Sequence, residues 1–134
     1  MKITFMDIIF KDTNLDDIFT KLYLIPDRVQ FCHHSTTSYA AHKALDGAYD
    51  ALSGLKDSIV EKLIGYTKKR PVRISLEPIS GYSEAMNFKV AEEICAFGDS
   101  LLAFAKKNGY SDIENLAQDY CGEGAQLSYL LSLK

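Results

Sequence analysis

Four side chains in one stretch, His42, Asp46, Asp57 and Glu61, have the types and spacings that bind a metal ion. His42 and Asp46 stand four residues apart, as do Asp57 and Glu61. On a helix each pair therefore projects from one face and can grip one cation. The two pairs cannot share that cation within one chain, because Asp46 and Asp57 are about three helical turns, roughly 16 Å, apart at 1.5 Å per residue. A second copy of the helix, antiparallel across a two-fold axis, would set each N-terminal pair opposite the other copy's C-terminal pair. That contact would create two equivalent His/Asp plus Asp/Glu sites per dimer. The plainer reading of the same residues is a solvated face carrying ordinary capping charges.

The stretch from Thr37 to Tyr66 must position these groups, and it reads as one long helix. Leu45, Ala48, Leu52, Leu55, Ile59, Leu63 and Tyr66 recur at three- and four-residue intervals and mark the core side. His42, Asp46, Asp50, Ser53, Asp57 and Glu61 fall in a second wedge of roughly 100°, beside the apolar one rather than opposite it. A stripe there is half way into an interface. Its carboxylates repel one another and are costly to desolvate unless cations or basic side chains neutralise them.

The 134 residues, 47% of them apolar, make one domain with a real core. Proline and glycine are sparse and no strand-like alternation is sustained, so the expected class is all-α. A formal charge of −3 argues against a general nucleic-acid partner. The three cysteines, Cys32, Cys95 and Cys121, are odd in number and scattered, which suits a reducing cytoplasm better than a disulfide scaffold or a zinc site. The apolar start, residues 1–12, is too short to span a bilayer, carries Asp7 and lacks a cleavage site; it is expected to be an arm that packs on the domain or a neighbour. No membrane association is expected.

Along the chain, Asn14 with Asp16 and Asp17 opens a first helix that keeps its period to His33 and His34, with Pro26 either kinking or splitting it. Ser35 to Ser38 is a turn of N-cap residues. Residues 67–83 contain two prolines and a glycine and form a long connection, in which Val72, Ile74 and Leu76 alternate as a short extended piece would. Lys68, Lys69, Arg70 and Arg73 are cations favoured near a helix C-terminus. A third helix runs from Glu84 to Lys107, on the period of Phe88, Ala91, Ile94, Leu101 and Ala105, and stops at Asn108-Gly109. Ser111 to Glu114 reads as a capping box opening a fourth. Glu92 and Glu93 read as surface acids, since neither has a histidine three residues on. Gly98, Gly122 and Gly124 suggest close helix packing. Short first and third connections with a long central one fit either a ferritin-like four-helix bundle with a crossover between helices two and three, the expected arrangement, or a plain antiparallel bundle with a loose middle loop.

The order His42, Asp46, Asp57, Glu61 within a helix that continues to Gly65 resembles the second-helix pattern of the Dps family of mini-ferritins. The segment from His34 to His42, HSTTSYAAH, is similar to one in small ferritin-like proteins of bacteriophages. The resemblance implies an iron site, and ferroxidase or iron-storage chemistry, shared between two subunits of a homo-oligomer, at least a two-fold dimer and up to a twelve-subunit shell. It assigns His42 and Asp46 of one subunit with Asp57 and Glu61 of the other; Mn or Zn fits the same donors. Gln30 and Phe31 stand where that family has a further histidine and a tryptophan, and this chain has no tryptophan. That leaves His34, or else His33, to deliver a second imidazole. The lysine-rich tail with which some Dps proteins hold DNA is also missing. The competing expectation is a non-catalytic bundle acting as an oligomeric interaction protein of phage origin, with Asp46, Asp57 and Glu61 paired to Lys43, Lys56, Lys62 or His42 across the dimer.

Overall fold

Asn14 begins the first described element in a computed structural model that describes residues 14–75, 77, 79 and 81–133. The N-terminal arm expected over residues 1–12 lies outside the described residues, as does Leu76. Asn14 Oδ1 accepts the Asp17 N–H at 2.9 Å, and helix α1 follows over Leu15–Ser35. It passes through Pro26 as a single helix, with Leu22, Ile25, Pro26 and Val29 buried around the proline. Apolar packing on that face offsets the hydrogen bond that Pro26 cannot donate. Ser38 caps α2, Tyr39–Thr67, by accepting the Ala41 N–H. α3 spans Ala85–Asn108 and α4 spans Ser111–Leu131. The described residues contain these four helices and no strand. None of the helices is long and apolar enough to cross a membrane.

The helices pack as a bundle in which α1 meets α2 and α3, and α4 meets α3 and α2. Its core holds the predicted stripes Leu45, Leu52, Ile59 and Leu63 on α2 and Ile94 and Leu101 on α3, with Ile18, Leu22, Ile25 and Val29 on α1 and Ile113 and Leu127 on α4. Three expectations are corrected. Tyr66 and Phe88 are each 46% exposed rather than core residues; Tyr66 instead lies at the bundle end, its ring stacked on Tyr110 at 4.1 Å. The capping box does not form, because Ser111 is already helical and Tyr110 occupies the cap. Asp112 meanwhile accepts from the Tyr66 hydroxyl at 2.5 Å and from the Ile113 N–H. Gly109 closes α3 with φ 72, the left-handed conformation that a glycine adopts without a Cβ penalty.

Between α2 and α3 the chain climbs along α1. Ser75 N–H donates to Thr20, Glu77 pairs with Lys21 and Arg28, Tyr82 meets Phe31 edge-on, and Glu84 reaches Thr36 and Thr37. α3 thus starts beside the first turn of α2 and ends beside its last, where Tyr110 stacks on Tyr66. Glu93, expected as a surface acid, is half-buried and takes both of its oxygens to Arg28 at 2.6 Å. Within the core the Tyr120 hydroxyl is buried without a hydrogen-bond partner among the described residues. Its ring packs edge-on against Phe97, and burial pushes the phenol's pKa up.

Glu84 ties three segments together. Its carboxylate accepts the Thr36 hydroxyl at 2.7 Å, the Thr37 N–H at 3.1 Å and the Asn87 amide at 3.1 Å. The Thr36 hydroxyl first, then the Thr37 N–H, hold its pKa below the usual glutamate value of 4.5. A carboxyl depressed in the folded state stabilises it above the unfolded value, and that contribution is lost as pH falls through the folded value. Glu84→Gln is expected to lower the thermal midpoint at neutral pH and to flatten its decline below about pH 4.5. Circular-dichroism melts across that range check this, and an acid limb identical to that of the parent chain would refute it.

Candidate functional site

The histidines meet at the turn between α1 and α2. His33 lies in the last turn of α1, and its carbonyl is one that a helix end leaves without an intrahelical donor. The amide that would normally reach it, that of Thr37, donates to Glu84 instead. His42, in the first turns of α2, fills the gap: its Nδ1 bonds the His33 carbonyl at 3.0 Å. The relation is reciprocal, since His33 Nδ1 bonds the His42 carbonyl at 2.9 Å. The rings stack with centroids 3.9 Å apart and planes 19° from parallel.

This exchange assigns the tautomers. A carbonyl oxygen only accepts, so Nδ1 carries the proton in both rings and, in the neutral rings, Nε2 keeps its lone pair. An Nδ1–H bonded to a backbone carbonyl is also the outer-shell arrangement that orients metal-binding imidazoles. Asp46 stands one turn beyond His42 on α2, with its Oδ1 3.9 Å from His33 Nε2 and its side chain half exposed. At that distance the contact is a weak ion pair, formed only when His33 is protonated.

The remaining predicted residues lie apart. His34 is exposed, and its ring is 5.2 Å from that of His33. It is His33, not His34, that lies against His42. Asp57 and Glu61 are both exposed on α2, about 16 Å along the helix from the His42–Asp46 turn. Neither enters a salt bridge among the described residues. Two of their neighbouring lysines are engaged elsewhere: Lys56 lies 5.3 Å over the Tyr23 ring, and Lys62 is 3.8 Å from Asp112. Among the described residues no three His, Cys, Asp or Glu side chains are grouped so as to hold a metal ion within one copy. Cys32, beside His33 in sequence, is fully buried, and burial first, then the Glu84 charge, push its pKa up to about 11.

Sequence reasoning missed the pairing of His33 with His42. The signal was present: the two histidines are symmetrically disposed about the Thr37-Ser38 turn, as the antiparallel arms of a helical hairpin require for mutual contact.

Fold and junction together define an all-α helical-bundle protein with a histidine pair clasping its first helical hairpin. Residues 33–131 match DUF5856, a family of unknown function, and the chain belongs to that family. The matched range begins at His33 and so includes the whole histidine junction with all of α2, α3 and α4. No curated protein and no solved structure matches the chain.

Proposed function

We propose that this protein is a ferritin-like metal-binding bundle that takes up Fe²⁺ at sites completed when two copies meet across a two-fold axis. One copy supplies His33, His42 and Asp46; the second supplies Asp57 and Glu61. The observation that carries the proposal is the reciprocal Nδ1-to-carbonyl exchange, which leaves both Nε2 lone pairs unused, that of His33 3.9 Å from the half-exposed Asp46 carboxylate. Among the described residues of one copy no three such donors are grouped to hold an ion, so the proposed site requires the second copy. The path of the linker along α1 supports the ferritin-like assignment, because it makes α2 and α3 parallel, as a single long crossover does. Imidazole and carboxylate donors suit Fe²⁺, Mn²⁺ or Zn²⁺. With iron, oxidation of Fe²⁺ by dioxygen or hydrogen peroxide is the chemistry that such a site would add.

Fe²⁺ titration of the purified protein, combined with its mass in solution, tests the proposal. The parent chain is expected to bind metal as a dimer or larger assembly. Asp57→Asn and His33→Ala are each expected to weaken binding by about 100-fold, the upper range for loss of a group that holds or orients a ligand. Helicity should be unchanged in both, and His34→Ala should bind as the parent does. Unaltered affinity in Asp57→Asn would refute the shared site. A metal-free assembly of the parent chain would favour an interaction protein, a role that exposed Tyr39 and Val72, at 74% and 87%, also suit.

A further inference from the structure

The α3–α4 interface holds two thiols that the histidine site does not use. Cys95-x-x-Gly98 on α3 and Cys121-x-x-Gly124 on α4 repeat the same short pattern, and the antiparallel helices set each glycine against the other helix's cysteine. A Cβ on Gly98 would lie 2.8 Å from both Cβ and N of Cys121. One on Gly124 would lie 2.6 Å from Cys95 Sγ and 2.9 Å from Cys95 N. Backbone therefore meets backbone at this level. A disulfide needs Cα atoms within about 7 Å, and helices at the usual separation of about 8–10 Å seldom bring facing residues that close. Here Cys95 Sγ already donates to the Cys121 carbonyl oxygen at 3.4 Å, and that oxygen is two bonds from the Cys121 Cα. Both cysteines are partly exposed, whereas Cys32 is buried in the core.

We propose that Cys95 and Cys121 form a reversible disulfide that staples α3 to α4 when the protein meets an oxidised low-molecular-weight disulfide. The thiolate of one cysteine attacks a sulfur of that disulfide, forming a mixed disulfide and releasing one small thiolate. The second cysteine, deprotonated, then attacks the protein sulfur of the mixed disulfide and expels the other small thiolate. Two electrons leave the protein, one protein S–S bond forms, and the two released protons convert the small thiolates to thiols. The reaction is slow at neutral pH, because burial first, then the nearby Cys95 and the Asp99 carboxylate 3.8 Å away, push the Cys121 pKa up to about 11. The bond would form under sustained oxidative exposure, and faster as pH rises.

Incubation of the full chain with oxidised glutathione, alkylation in denaturant and peptide mapping test this. The expected result is a fall from three alkylatable thiols to one, that one being Cys32, with the Cys95 and Cys121 peptides joined within a single chain and a higher thermal midpoint that dithiothreitol reverses. Cys95→Ser and Cys121→Ser should each abolish the cross-link and leave the reduced protein folded. Three thiols surviving the exposure, a glutathione adduct that never resolves, or a bond between chains would each overturn the proposal.

Discussion

Gly98→Ala is expected to destabilise the folded chain by about 3 kcal/mol, at the upper end of what an added methyl costs in a packed interior. The methyl would sit 2.8–2.9 Å from Cβ, N and Cα of Cys121, none of which can swing aside as a side-chain tip does. Relief requires α3 and α4 to separate, which loosens a large part of the core. The better helix propensity of alanine offsets only about 1 kcal/mol of this. Gly122 lies on the same α4 but has nothing within 4 Å of its ideal Cβ, so Gly122→Ala keeps the propensity gain without the collision. It is expected to raise stability by about 0.5–1 kcal/mol. Urea unfolding of the two variants should therefore move in opposite directions. Equal shifts would mean that α3 and α4 are not in backbone contact.

Arg28→Ala is expected to cost about 2–3 kcal/mol, somewhat less than a fully buried pair broken on one side, because solvent reaches these groups. The Arg28 side chain is 16% exposed and that of Glu93 29%. Arg28 donates Nη1 to both oxygens of Glu93 and Nη2 to Glu77, all at 2.6 Å. It joins α1 to α3 and pins the linker across them, and its bond to Glu77 lowers that carboxyl's pKa. Alanine would leave Glu93 charged and half-buried without its cation. Arg28→Met combined with Glu93→Met removes both charges while keeping much of the volume, and is expected to recover most of the loss. Denaturant midpoints of the single and double variants decide the matter. A double variant as unstable as Arg28→Ala would show that shape, not charge, holds this junction.

The sequence by itself determined the four helices, their apolar stripes, the Asn14 and Gly109 ends and the polar stripe on α2, because each depends on neighbours within a turn or two. Where local rules failed, a distant group had intervened. Ser111 yielded its capping role at the α3–α4 turn, where Asp112 is engaged by Tyr66, 46 residues away. Glu93 ceased to be a surface acid because Arg28, 65 residues away, lies against it. Gly98 and Gly124 signalled close packing and have it, whereas Gly122, read the same way, faces open space, because the period of one helix does not say which residue on another will face its glycines.

The choice of His33 over His34 has the same origin. Neighbouring residues on a helix point about 100° apart, and only the rotation of α1 against α2 decides which imidazole meets His42. That rotation is set by the summed packing of every face of both helices, not by the residues of the turn. Periodicity fixes a side chain's bearing on its own helix. The angle and sliding of one helix on another, which create the His33–His42 exchange and the Cys95–Cys121 contact, exist only once the core has closed.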